Sequence, residues 1–109
     1  MRTRRRRSRR LKSRLPLETE RAVRALCAGY HRRKHRTPQL PEEREINRLI
    51  DDALEESCEA GLCETMRQDI AERRGAKYTP AVFVGESGYK ERKAEAKRAI
   101  ARRFGLPLE

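Results

Sequence analysis

The stretch PEEREINRLIDDALEESCEAGLCETMRQDI, Pro41 to Ile70, decides the fold. Pro41 stands where a first helical turn tolerates a missing N–H, and Glu42, Glu43 and Glu45 suit the positive end of a helix dipole. Ile46, Leu49, Ile50, Ala53 and Leu54 follow at helical intervals and form the clearest apolar stripe in the chain. Beyond Gly61 the apolar positions are Leu62, Met66 and Ile70, nearly opposite in phase to that stripe. A straight helix through Gly61 would expose one of the two sets, so a tight turn or sharp kink is predicted there.

Upstream, a first helix is predicted from about Pro16, with Glu18 and Glu20 in its opening turn. Val23, Leu26, Cys27 and Tyr30 give it one apolar face. The basic run HRRKHR suits its C-terminal end, and Thr37-Pro38 stops it. Downstream, the third helix is predicted to end at Gly75. In KYTPAVFVGES, AVFV could be a short buried strand or part of a one- to two-turn helix capped by Thr79 with Pro80 in its first turn. No partner strand is visible elsewhere, which favours the helix. Gly85-Glu86 then reads as a turn and Ser87 as the N-cap of a last helix, with Tyr89, Ala96, Ile100 and Phe104 on one face, Ala99 beside them, and Gly105 and Pro107 as its stop. The expectation is an all-α domain over residues 16–109, a small bundle of four to five helices with a C-terminal helix-turn-helix at about 78–105. Residues 1–15 are expected to be a disordered Arg-rich tail.

Charge is distributed unevenly along the 109 residues. Residues 1–36 carry fifteen Lys and Arg against two acids, residues 37–74 five against eleven, and residues 75–109 eight against four. The net charge of +11 is the usual footprint of a polyanion binder, with acidic lipid and acidic proteins as the competing partners. No run approaches the length of a membrane span, so no membrane association is expected, and no apolar run follows the N-terminal arginines as a secretory signal would require. Three irregularly spaced cysteines argue against a disulfide scaffold and for a reducing, cytoplasmic compartment.

A short helix, a Gly-containing turn and a longer capped helix are the layout of a helix-turn-helix. Such a motif places polar residues of the recognition helix's N-terminal end on base edges and cations near phosphates. Glu86, Ser87, Gly88, Lys90 and Glu91 crowd the first turn here, and Lys93, Lys97 and Arg98 follow on the polar side. The alternative is a solvated helix held by Glu-Lys pairs. Glu91 with Glu95, and Lys93 with Lys97, are like-charge i,i+4 pairs, so the pattern is not optimised for that support.

The stretch ESGYKERKAEAKRAIARRFGL resembles the C-terminal helix of the phage transcriptional regulators called ArpU or RinA, themselves similar to the region-4 helix-turn-helix of sigma factors. Ser87, Tyr89, Arg92-Lys93, Glu95-Ala96, Ile100-Ala101 and Gly105-Leu106 carry the likeness, and INRLIDDALEE is similar to the helix preceding the motif in that family. The segment Thr79–Ser87 is about two residues shorter than the family's first helix and turn, and the Arg-rich tail is not part of the family pattern. The resemblance implies a phage or prophage transcription regulator that binds double-stranded DNA by sequence, on the nucleoid of a bacterial host. On the helix-turn-helix layout, base-edge contacts are expected from Ser87, Gly88, Lys90 and Glu91 and phosphate contacts from Lys77, Lys93, Lys97 and Arg98. RNA polymerase and a second copy of the chain are the candidate protein partners, since reading two half-sites favours a dimer.

Other chemistries have weaker support. Arg4, Arg5, Arg6, Arg7, Arg9 and Arg10 read as a nonspecific nucleic-acid tail, because phosphate contacts position without specifying. An RNA-binding or DNA-packaging-associated phage protein using that tail is one alternative, and a partner-binding helical module with an acidic middle is another. Cys27, His31, Cys58 and Cys63 form the one zinc candidate, a Cys₃His set. Their spacing is not a common zinc pattern, and Cys27 lies on an apolar stripe, so neither metal nor cofactor is expected. Asp51, Asp52, Glu55 and Glu56 could hold Mg²⁺ in a small nuclease, yet nothing separates them from an ordinary acidic face. No Gly-rich phosphate loop, Ser-His-Asp arrangement or H-E-x-x-H is present, and the chain is not expected to be an enzyme.

Overall fold

A computed structural model describes residues 15–72 and 85–109, with side chains in the last helix described from Gly88 onward. Residues 1–14 of the predicted tail, the predicted short helix near Thr79–Val84 that would open the helix-turn-helix, and the predicted stop at Gly75 lie outside the described residues; Leu15, counted in the tail, is instead buried in the core. The chain is an all-α bundle. Its elements are α1 (Leu17–Ala28), α2 (Tyr30–His35), α3 (Pro41–Ser57), a 3-10 turn (Ala60–Leu62), α4 (Cys63–Glu72) and α5 (Gly85–Arg103). The last helix packs chiefly on α3, and α1 chiefly on α4. No helix among the described residues is long and apolar enough to cross a membrane.

The phase break at Gly61 is realised as a turn. Pro41 occupies the first turn of α3 as predicted, and the helix closes at Ser57, whose hydroxyl donates back to the Ala53 carbonyl at 2.8 Å. Cys58 is extended, and the Leu62 N–H closes the 3-10 turn on the Glu59 carbonyl at 2.8 Å. The chain thereby re-enters a helix with its apolar side reset. Ile50, Ala53 and Leu54 from α3 and Leu62, Met66 and Ile70 all lie in one core. Val23, Cys27 and Tyr30 join them from one side, and Tyr89, Ala96, Ala99, Ile100 and Ala101 from the other. Ile46, Leu26 and Phe104 are only partly buried, at the rim of that core.

Two predicted boundaries differ. The first helix, predicted to run unbroken into the basic run, is interrupted at Gly29. The hydrogen bonds nevertheless continue across the break, from the Gly29 N–H to the Ala25 carbonyl (3.1 Å) and from the Arg33 N–H to the Gly29 carbonyl (3.0 Å). The cause is a buried arginine. Arg33 folds its guanidinium back over Gly29, where a Cβ would collide with it, and donates to the Leu26 carbonyl. Its Nε donates to Asn47 Oδ1 at 2.8 Å, and Asn47 Nδ2 donates in turn to the Tyr30 carbonyl at 3.0 Å. Burial pulls the Arg33 pKa below its ordinary value, and these partners replace the water it has lost. The last helix begins at Gly85, so Gly85-Glu86, predicted as the turn ahead of it, forms its first turn, and Ser87, predicted as its N-cap, lies inside the helix.

The C-terminal stop is as predicted. Gly105 takes φ 68°, the left-handed conformation that suits glycine, and its N–H reaches the Arg102 carbonyl at 3.2 Å while the Leu106 N–H reaches Ala101 at 2.9 Å. The chain then doubles back onto α1, where buried Thr19 donates its hydroxyl to the Pro107 carbonyl at 2.7 Å.

Asn47 is the joint between α2 and α3. Replacing it by Ala removes one acceptor of a buried guanidinium, which keeps only the Leu26 carbonyl, and the side-chain donor to the Tyr30 carbonyl. Asn47→Ala is expected to destabilise the fold by about 2–3 kcal/mol, read from urea unfolding, since a hydrogen bond to a charged buried group is lost. A loss below about 0.5 kcal/mol would show that water replaces the amide there.

Candidate nucleic-acid interface

The last helix is seated by small residues. Ala96, Ala99 and Ala101 are buried with Ile100, and their size lets the backbone of α5 come close to its neighbours. At its N-terminal half the seat is polar. Asp69 of α4 is fully buried, and both its oxygens are used: the Tyr89 hydroxyl donates to Oδ2, and Lys93 Nζ donates to Oδ1 at 3.1 Å. One turn on, Lys97 Nζ donates to Glu20 Oε1 on α1 at 3.0 Å. Along the opposite edge, Arg92 pairs with Glu59 at 2.7 Å, Arg103 with Glu56 at 2.9 Å and Arg102 with Glu56 at 3.7 Å.

The predicted contact residues therefore separate into groups. Lys90 and Glu91 are exposed at the anchored end of the helix, with Gly88 half-buried before them. Lys93 and Lys97 have carboxylate partners inside the fold, so a phosphate would share or displace those pairs. Arg98 is half-buried and engaged within the fold. The Ser87 side chain, Lys77 and the tail arginines Arg4, Arg5, Arg6, Arg7, Arg9 and Arg10 lie outside the described residues. Arg24 of α1, not among the predicted residues, joins Glu20, Lys93, Lys97 and Ile70 around a notch of about 40 Å³, room for water rather than a metabolite.

Asp69 and Tyr89 were not anticipated as a pair. The sequence places most of the acids outward, whereas Asp69 falls three residues after Met66 and next to Ile70, on the buried stripe of α4. An acid on an apolar stripe, matched by Tyr89 and Lys93 one turn apart, was the available signal.

The other candidate sets do not come together. Among the described residues no three His, Cys, Asp or Glu form a metal-ligand group, and the zinc set is dispersed into separate roles. Cys27 is a core side chain whose thiol burial pushes up to about 12. His31 lies outside with its Nε2 3.1 Å from the Arg67 guanidinium. Cys58 sits beside Ser57, and the half-exposed Cys63 points its sulfur at the Leu54 and Glu59 carbonyls. Burial raises both of these thiols as well. Of the acids weighed for Mg²⁺, Asp51 accepts the Tyr30 hydroxyl on both oxygens (2.8 and 2.9 Å), Asp52 pairs with Arg48 at 3.1 Å, and Glu56 holds the arginines of α5.

Charge follows the same partition. All seventeen acids of the chain fall within residues 15–72 and 85–109, together with sixteen Lys and Arg. Residues 1–14 carry nine basic residues, and residues 73–84 three, with no acid in either. The helical body is close to neutral, and the positive excess resides in those two segments.

Comparison of the chain with protein-family models, with curated proteins and with solved structures gives no match.

Two measurements follow from the buried ionisable groups. Tyr30, like Cys27, is pushed up to about 12, by burial first and then by its bond to Asp51. The folded chain keeps both protons at a pH where the unfolded chain has released them. The stability these two groups contribute is therefore fully present below about pH 9 and is lost as pH rises from there toward about 12, visible as a declining urea midpoint. An aromatic disulfide reagent is expected to modify Cys63 first and Cys27 only on unfolding. Early labelling of Cys27 would contradict its placement.

Proposed function

We propose that the chain binds double-stranded DNA as a transcription regulator of the phage or prophage kind, in the cytoplasm of a bacterial host, with the N-terminal end of α5 reading base edges. The observation that carries this reading is the anchored end of the helix. Tyr89 and Lys93 tie that end to Asp69, and Lys90 and Glu91 remain exposed beside the tie. A reading helix has to be held in register while its polar residues stay free, and this arrangement meets both needs. Lys90 suits guanine O6 and N7, and Glu91 suits the cytosine amino group. The Arg-rich segment adds sequence-independent attraction to phosphate. This reading assigns the chain no catalytic step.

A second reading is favoured by the charge partition. The body is nearly neutral, and most cations of α5 are held by carboxylates, so residues 1–14 alone could drive sequence-blind binding to DNA or RNA.

Selection of duplexes from a random pool, followed by footprinting, separates the two. The first reading expects a consensus, and Lys90→Ala then weakens the selected duplex by about 1–3 kcal/mol while leaving a scrambled one unchanged. The second expects no consensus, with binding to every sequence lost on removal of residues 1–14. Recovery of no consensus would sink the regulator reading. Salt dependence is common to both and decides nothing between them.

A further inference from the structure

We infer that the outer face of the α1–α2 rod, centred on Arg21, Arg24 and Arg32, is a contact surface for the phosphate backbone of double-stranded DNA. The inference rests on the duplex-binding reading above and adds to it a second helix pair, on which no predicted contact residue falls.

The rod is nearly continuous, because the backbone hydrogen bonds run through Gly29. From Arg21 to Arg36 the sequence holds six Arg and Lys residues and no acid. Two of these six have hydrogen-bond or carboxylate partners, and a third, Lys34, sets its Nζ over the Tyr30 ring at 5.9 Å. Arg33 is buried against Asn47, and Arg36 pairs with Glu43 at 2.9 Å. Among the described residues, Arg21, Arg24, Arg32 and Lys34 have no carboxylate partner. Arg92, Arg102 and Arg103 of α5 stand in contrast, each held by an acid of α3 or of the turn after it. The cations left over by internal pairing are thus concentrated on α1 and α2.

Arg21, Arg24 and Arg32 also share a side, from which Lys34, thirteen residues beyond Arg21, is turned well away. Arg21 and Arg32 are eleven residues apart, about three helical turns and about 16 Å, so their phases nearly coincide. Ala25 and Ala28 are exposed between them and leave the face low in relief. Arg24 sits at its edge, around the same notch as Glu20, Lys93 and Lys97, so the face adjoins the N-terminal half of the helix proposed to read bases across one carboxylate. The segment 1–14, with its nine basic residues, joins the rod directly at its N-terminal end.

The chemistry of the face selects its ligand. Recognition of single strands uses exposed aromatic rings on which bases stack, and this face carries no Phe, Tyr or Trp, since Tyr30 is turned into the core. Docking on a lipid surface uses an apolar side that enters the acyl boundary, and Leu17 is the one large apolar side chain exposed on the rod. A row of unpaired guanidinium groups on a rigid helix is suited to the phosphates of a duplex.

The test uses the full chain and a duplex of arbitrary sequence, with binding followed by fluorescence anisotropy over a range of salt. Each phosphate contact contributes about 0.9 to the slope of log K against log salt. The double variant Arg21→Gln/Arg32→Gln is expected to lower that slope by about two, with unchanged helical content by circular dichroism. The control Arg92→Gln/Arg102→Gln is expected to leave the slope as it is. An unchanged slope in the first variant, with the native chain still binding the duplex, overturns the assignment of this face and leaves the duplex-binding reading intact. No affinity of the native chain for any duplex overturns both. A slope loss seen only with single-stranded RNA overturns the choice of duplex DNA.

Discussion

The structure depends most on one buried carboxylate. Asp69 is removed from water, and such a charge is tolerated only where donors replace the solvent. Its donors, Tyr89 and Lys93, lie one turn apart on α5, a helix separated from α4 by a long connection. The requirement to satisfy Asp69 therefore fixes both the rotation of α5 and its height on the bundle. An apolar seat alone would fix these less firmly, because Ala96, Ala99 and Ala101 offer a smooth surface along which a helix can slide. The same carboxylate decides which residues of α5 face outward, and so which are available to a ligand.

A second buried polar joint works in parallel at the other end of the bundle. Arg33 and Asn47 connect α2 to α3, Tyr30 reaches Asp51 on α3, and the Arg67 guanidinium of α4 lies 4.0 Å from the Tyr30 ring centroid. The core between these joints is aliphatic and modest in size. With few aromatic side chains to lock it, specificity of packing falls to the polar joints, each of which accepts one arrangement of helices. The charged surface has a different part: its ion pairs are exposed and individually weak, and their effect is to use up cations on one side of the body while leaving them free on another.

The all-α architecture was legible in the sequence because its signals are local. The phase reversal around Gly61, Pro41 in a first turn and the Gly105 stop each follow from a few neighbouring residues, and each stands where it was expected. The interruption at Gly29 was not legible, since its cause is a side chain four residues on that is itself held by Asn47 from another helix. The candidate site divides in the same way. Exposure of Lys90 and Glu91 follows from helical phase, whereas the engagement of Lys93 and Lys97 depends on where Asp69 and Glu20 come to lie in three dimensions. Composition revealed the basic excess but not its partition, because the difference between a free and a neutralised arginine is a tertiary property.

The bond from Thr19 to Pro107 closes the helical body into a ring: the strand of chain leaving α5 lies against the first turn of α1. Only a short bridge would be needed to join the two, and the order of helices around the core would be unchanged if the chain were opened elsewhere. The architecture is in this sense circular, and its linear reading is one of several equivalent starting points. A circularly permuted chain opened between α4 and α5 would keep the core, the Asp69 tie and the α1–α2 rod, while moving the basic segment 1–14 into a loop anchored at both ends.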